Sequence, residues 1–268
     1  MPPVLDLIVL VLGAGELASG VAHKLARSRF RVCFTETAEP LAVIRGTAFC
    51  EAVYDGEKEV EGVIARKVGT LQDAFQAWKD GKIPLFIDVE GRITKGLQPQ
   101  VLVDARMAKK NLGISLSRAP FVIGLGPGLT AGKDVHVVVE TIHTDNAGRL
   151  IYEGAATKDT GIPTVRGGYS YARLLRAPDE GAVVLRKTIG DVVSEGDVVA
   201  FIGLKPVQAE CAGVLRGMMR NGQKVKKGTK IGEIDPLAHP DDCYKIRGHA
   251  RVIAGAVLEA IMNRYNTV

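Results

Sequence analysis

Apolar and polar positions change period several times along the chain, and each change marks an element. Val4 to Leu12 is apolar except at Asp6, too short for a helix and rich in Val, Leu and Ile, so it predicts a buried parallel strand. Gly13-Ala14-Gly15-Glu16 follows at once. After it Leu17, Val21, Ala22 and Leu25 share one helical face, and Phe30, Val32 and Phe34 then alternate as a second strand that closes on Glu36. The order strand, glycine turn, helix, strand, acid is one βαβ unit.

Further on, Pro40 opens a predicted helix through Leu41, Ile44, Ala48, Phe49, Ala52 and Val53, with Gly46 tolerated inside it. Val60 to Ile64 predicts a short strand. Thr70 is a plausible N-cap for a helix over Leu71 to Lys79, with Ala74, Phe75 and Trp78 inward. Pro84 to Asp88, Val101 to Asp104, Phe121 to Ile123 and Val135 to Val139 read as short strands. Three of these close on an acid: Asp88, Asp104 and Glu140. These elements predict a mostly parallel α/β sheet with a mixed extension.

From Thr160 to Arg176 glycines, prolines and tyrosines suggest a connector. An internal repeat follows: Gly181, Gly190, Gly196 and Ile202 recur as Gly213, Gly222, Gly228 and Ile234 at a constant offset. Two such copies predict a small pseudo-two-fold β sandwich, because neither copy can bury a core alone. Asp179, Glu180, Asp191, Glu195 and Asp197 make the first copy acidic; Arg216, Arg220, Lys224, Lys226, Lys227 and Lys230 make the second basic. Val252 to Tyr265 reads as a closing helix. The expected divisions are residues 1–156, a connector 157–176, the sandwich 177–236 and a C-terminal strand and helix 237–268.

A length of 268 residues allows two modest domains, and a net charge of +5 suits an anionic ligand or an acidic partner while arguing little for nucleic acid. No basic stripe with interleaved aromatics appears. The apolar N-terminus is too short to span a bilayer and has no basic leader or cleavage site, so a cytoplasmic protein without a membrane partner is expected. Cys33, Cys50, Cys211 and Cys243 are widely spaced, which suggests neither a zinc site nor a disulfide framework.

The candidate chemistry gathers at the carboxyl ends of the predicted strands. Gly13, Ala14, Gly15 and Glu16 offer backbone N–H groups to an anion at a helix N-terminus, and Glu36 stands where a dinucleotide fold places a ribose-binding carboxylate. Gly126 and Gly128, with Thr130 beyond them, read equally as a second anion nest or as a plain turn. Asp104 with Lys109 offers a carboxylate and an amine; His136, in a strand, is either an acid–base group or a structural histidine. Cys50 is either a core thiol or one activated by Arg45.

Two resemblances add to this reading. The repeat, with Ala177-Pro178 before Gly181, resembles the biotinyl/lipoyl-like barrel-sandwich domain. The segment Gly203 to Ala209 is too short for that family's attachment hairpin, and Lys205 lies between Leu204 and Pro206, so no biotin or lipoate is expected on it. Nearly the whole chain resembles the YqeB-type family. The resemblance rests on Gly13 to His23, Pro40 to Val43, Ala48 to Tyr54, Asp104 to Asn111, Gly124 to Gly128, Thr130 to His136 and Thr160 to Pro163. Leu12, Glu16, Ile44 and Cys50 depart from that family's pattern. The resemblance implies an accessory protein that matures a selenium-dependent molybdenum hydroxylase, with that hydroxylase as client. A nucleotide, NAD or a molybdopterin dinucleotide would be the ligand. The expected fold is α/β: a Rossmann-like, mostly parallel sheet plus a C-terminal barrel-sandwich. An NAD-dependent oxidoreductase and a non-enzymatic adaptor are the alternatives, and a homo-oligomer is compatible with either.

Overall fold

The structure, a computed structural model, describes residues 6–266, so Val4 and Leu5 of the first predicted strand lie outside the described residues. The described chain forms two compact units, residues 6–40, 48–160 and 246–266 in the first and residues 41–47 and 161–245 in the second.

The first unit is built on a nine-stranded sheet. Its strands in chain order are β1 (Ile8–Leu12), β2 (Arg31–Glu36), β3 (Glu57–Val60), β4 (Val63–Val68), β5 (Ile83–Ile87), β6 (Val101–Asp104), β7 (Phe121–Leu125), β9 (Val137–Val139) and β10 (Leu150–Ile151). A separate small ladder pairs β8 (Thr130–Ala131) with β11 (Gly154–Ala155). Across the large sheet the order is β10-β9-β7-β6-β1-β2-β5-β4-β3. The strands from β9 to β4 pair in parallel, while β10 and β3 close the two edges antiparallel. Strands buried on both faces carry unbroken apolar runs, as Val9, Leu10 and Val11 do at 0% exposure.

The helices are α1 (Glu16–Arg27), α2 (Ala52–Asp55), α3 (Leu71–Lys79), α4 (Thr94–Leu97) and α5 (Gly248–Tyr265). Only β1–α1–β2 and β4–α3–β5 are crossovers through a full helix. The β5–β6 connection has the single turn α4, and β6–β7 has a 3-10 turn at Leu116–Arg118. Helix α1 packs on α5, where Gly20 faces Ala250 so closely that a methyl group on Gly20 would lie 3.0 Å from the Ala250 side chain. Thr70 and Asp73 form a reciprocal capping box on α3, as the sequence predicts, but Phe75 turns outward at 48% exposure and Ala77 takes the inner place.

Two predicted elements come out differently. The single strand over Val60 to Ile64 is the hairpin β3–β4, turned at Glu61 and Gly62, both with positive φ (46° and 79°) as a tight hairpin turn requires. The helix expected from Pro40 to Val53 is broken into 3-10 turns at Arg45–Thr47 and Phe49–Glu51 and the short α2. Ala48 is extended between them, and a side chain on Gly46 would overlap the Cys243 carbonyl.

The second unit holds two four-stranded antiparallel sheets, β12-β19-β17-β14 and β16-β15-β13-β18. Their strands are β12 (Leu174–Arg176), β13 (Gly181–Leu185), β14 (Val192–Val193), β15 (Val198–Ile202), β16 (Lys205–Gln208), β17 (Gly213–Met218), β18 (Lys224–Val225) and β19 (Lys230–Asp235). Adding the repeat offset maps β13 on β17, β14 on β18 and β15 on β19. The mapping holds at hydrogen-bond level: Gly190 N–H donates to Leu215 O at 3.0 Å, and its equivalent Gly222 to Val183 O at 2.7 Å. Each copy lends one short strand to the other copy's sheet, β14 to β17 and β18 to β13. Val183, Ile202, Leu215 and Ile234 meet in one shared core. Not all of the second copy's cations make a basic surface. Arg216 is buried against Asp235 at 3.0 Å, and Lys230 pairs with Glu233 at 2.6 Å.

The expected combination, a Rossmann-like mostly parallel sheet plus a biotinyl/lipoyl-like barrel-sandwich, is therefore corrected. The large sheet is mixed, with antiparallel strands at both edges, and most of its crossovers lack the helices that a doubly wound fold uses. The antiparallel sheets are described by their own pairing.

Candidate functional site

In the register of the parallel strands Leu12 stands opposite Thr35 and Asp104, and Asp104 opposite Gly124. The glycine turn, Glu36, Asp104 and the second glycine loop thus share the carboxyl edge of the sheet. Gly13 has φ +86°, and its N–H donates to Thr35 O at 2.8 Å. Gly15 is the N-cap of α1 and has no side chain to cap it; a side chain there would meet no atom within 4 Å. The first-turn N–H groups of α1 have no acceptor within the helix itself, and they carry the positive end of its dipole. Glu16, in that turn, has its carboxylate 3.2 Å from Arg247 Nε.

Glu36 is engaged by the chain. One oxygen accepts from Ala14 N–H at 2.8 Å and the other from Thr37 N–H at 2.7 Å, so it braces the glycine turn. Asp104 is 5% exposed and held by Arg106 through two side-chain bonds, at 2.9 and 2.6 Å. Arg106 lies against the turn: a side chain on Gly13 would sit 3.3 Å from its Cα. Lys109 pairs with Asp159 rather than with Asp104.

Gly126 and Gly128 are where the second loop comes closest to its neighbours. A side chain on Gly128 would overlap the backbone of Lys109 and Lys110, and one on Gly126 would press on Thr141 and Met107. Met107 and Lys109 themselves have positive φ (52° and 58°), so it is the segment facing the glycines that holds a costly left-handed backbone. Thr130 sits in its own turn, its N–H donating to Asp134 at 2.9 Å.

His136 lies at the other end of the strands. Its Nδ1 accepts from Val122 N–H at 3.0 Å, and burial, with the Arg264 charge nearby, holds its pKa below the ordinary histidine value. Cys50 is fully buried; its N–H donates to Ala14 O at 2.9 Å, which straps the Phe49–Glu51 turn onto the glycine turn. Arg45 belongs to the second unit, where its Nε donates to Met218 O at 2.7 Å. Asp104, Lys109, His136 and Cys50 therefore do not converge on one point.

Sequence reading gave no role to three groups at this edge. Arg106 was visible two residues after Asp104, and Arg247 stands just before α5. Glu140 is the third: its carboxylate is buried, which by itself would raise its pKa, yet N–H groups of Thr157, Ile142 and Thr141 outweigh burial and lower it. Close by, His143 stacks on His249 with ring centroids 3.7 Å apart. Among the described residues no three His, Cys, Asp or Glu side chains gather as a metal ion needs, and no helix is long and apolar enough to cross a membrane.

No family model matches the chain. It is 41% identical over 255 residues to the uncharacterized protein YqeB of Escherichia coli (strain K12), across 95% of this chain and 47% of that protein. This match supports the YqeB family, and the chain spans about half the length of the curated relative it matches. Among solved structures, an aspartoacylase family protein from Mesorhizobium loti superposes with a TM-score of 0.28 at 16% identity, over 87% of each chain. The product-bound ectoine utilization protein EutE (DoeB) from Ruegeria pomeroyi gives 0.26 at 14%, over 85% of each. The succinylglutamate desuccinylase/aspartoacylase from Rhodobacter sphaeroides gives 0.28 at 14%, over 87% of this chain and 86% of that one. Superpositions this loose carry no argument about reaction.

These findings correct the expected function. The sequence relative is uncharacterized and lends this chain no role. Maturation of a selenium-dependent molybdenum hydroxylase thus has no support. At the glycine turn the carboxylate expected on a ribose serves the chain itself, accepting Ala14 N–H and Thr37 N–H and bracing the turn.

Proposed function

We propose that the first unit binds a small phosphate- or carboxylate-bearing ligand at the glycine turn, residues Gly13 to Glu16, with Arg106 beside it. One observation carries this reading: the N-terminus of α1 has no side-chain cap, and the space above Gly15 is open. Backbone N–H groups at such a terminus suit an anion because they combine unsatisfied donors with the helix dipole. Glu36 fixes the turn from behind through Ala14, and the ligand would meet the helix N-terminus beyond it. Asp104 orients Arg106 through its fork, and a guanidinium has donors left after such a pairing.

Calorimetry with inorganic phosphate, citrate and succinate tests this. The wild type binds at least one of them, and Gly15→Val, which fills the open space, weakens that binding by about tenfold or more, a difference of about 1.4 kcal/mol. Silence from the wild type across the panel, or equal binding by the variant, removes the proposal.

A further inference from the structure

The crossovers that lack full helices leave a groove in the first unit, between the β5–β6 connection with its short α4 and the β6–β7 connection. Its volume is about 1330 Å³, beyond the roughly 300–1,000 Å³ of small-molecule pockets. Arg92, Lys95 and Arg118 line it, with Glu90 as the acid. Glu90 pairs with Arg92 at 2.8 Å, so these two cancel. Arg118 is fixed by neutral oxygens alone: its Nη2 donates to Glu90 O at 3.0 Å, Gly91 O at 3.2 Å and Thr94 Oγ1 at 3.5 Å. Among the described residues neither Arg118 nor Lys95 has a carboxylate partner, so the groove keeps two uncompensated cations.

We infer that this groove is a docking site for an acidic, extended peptide segment of a partner protein. Charge selects an anionic occupant, since complementary charge steers encounter and fixes orientation. An open groove of this size has room for an extended segment. Composition then separates peptide from nucleic acid: no aromatic side chain lines the groove, so bases would find no stacking platform. The exposed Gln98 side chain can hydrogen-bond a peptide backbone, and the exposed Pro120 gives it apolar contact. This inference is independent of the glycine-turn ligand, because the two sites share no residue.

The test is fluorescence anisotropy with a fluorescein-labelled peptide of alternating Glu and Gly, at low and at physiological salt. The full chain binds it, more weakly as salt rises. Lys95→Glu weakens binding about tenfold, whereas Lys133→Glu, an exposed charge outside the groove, and Gly15→Val leave it unchanged. No binding at low salt, or equal loss with Lys95→Glu and Lys133→Glu, overturns the inference. Displacement by oligothymidylate or by citrate as effective as by unlabelled peptide overturns it too, in favour of a nucleic-acid or small-anion site.

Discussion

A carboxylate at the end of β2 has two oxygens to satisfy, and at Glu36 the chain satisfies both from its own backbone. Sequence spacing places such an acid correctly but says nothing about which donors reach it first. The glycines of the second loop carry the same lesson: Gly128 is required because Lys109 and Lys110 approach it, and the approaching backbone is invisible in a local motif. Titration is also decided at this scale. His249 is held below the ordinary histidine pKa by burial first and by the Arg247 charge, against a hydrogen bond with the Thr141 backbone that raises it. His143 stacks on its ring, and the Glu140 carboxylate belongs to the same loop as Thr141. A lowered folded pKa means that the unfolded chain takes up the proton first, near pH 6.5. The stability linked to neutral His249 is thus complete above that pH and is lost as pH falls below it. The melting temperature of the wild type should drop between pH 7.5 and pH 5. His249→Gln should show a shallower drop, with the remainder belonging to His23 and His136, whose pKa values burial also lowers. Parallel pH profiles of the two proteins would refute this.

Elements differ in how openly the sequence announces them. The βαβ unit, α3 with its Thr70 cap, the parallel strands and α5 all carry their period locally, and each is found where the pattern puts it. The break in the Pro40 to Val53 segment was not legible in the local pattern, and Gly46 within it lies against the Cys243 carbonyl, nearly two hundred residues away in sequence. A mixed extension was expected, but which strands form the antiparallel edges was hidden, since β10 is two residues long and β3 reads as one strand with β4. For α1 the decisive feature is an omission: a glycine stands where Ser, Thr, Asp or Asn would satisfy the first turn. Gly15→Ser should stabilise the fold by a few tenths of a kcal/mol in urea unfolding while weakening anion binding several-fold, because the hydroxyl takes the N–H groups the ligand needs. Stabilisation without loss of binding would place the ligand elsewhere.

At the scale of the molecule, sequence order and compact units do not coincide. Residues 246–266 return to the first unit, where α5 packs on α1 with Ala250 against Gly20. A fragment ending at residue 160 would keep every strand of the large sheet but expose the apolar side of α1. We expect it to bind ANS and to lose near-UV dichroism relative to the full chain, as a loosely packed state does. A fragment with native near-UV signal and no dye binding would contradict this. The internal repeat, by contrast, was legible down to its glycines, because repetition fixes spacing even where the partners of each strand remain unknown.

The exchange of β14 and β18 between the two copies has a historical consequence. One copy alone, severed from its neighbour, could finish its sheet only by accepting that strand from an identical molecule. Such a peptide would be an obligate homodimer, and tandem duplication of its gene would turn the exchange between two chains into one within a single chain. The opposite charges now carried by Glu195 and Lys227, equivalent positions in the two copies, would then be divergence that became free once the two halves no longer had to be the same.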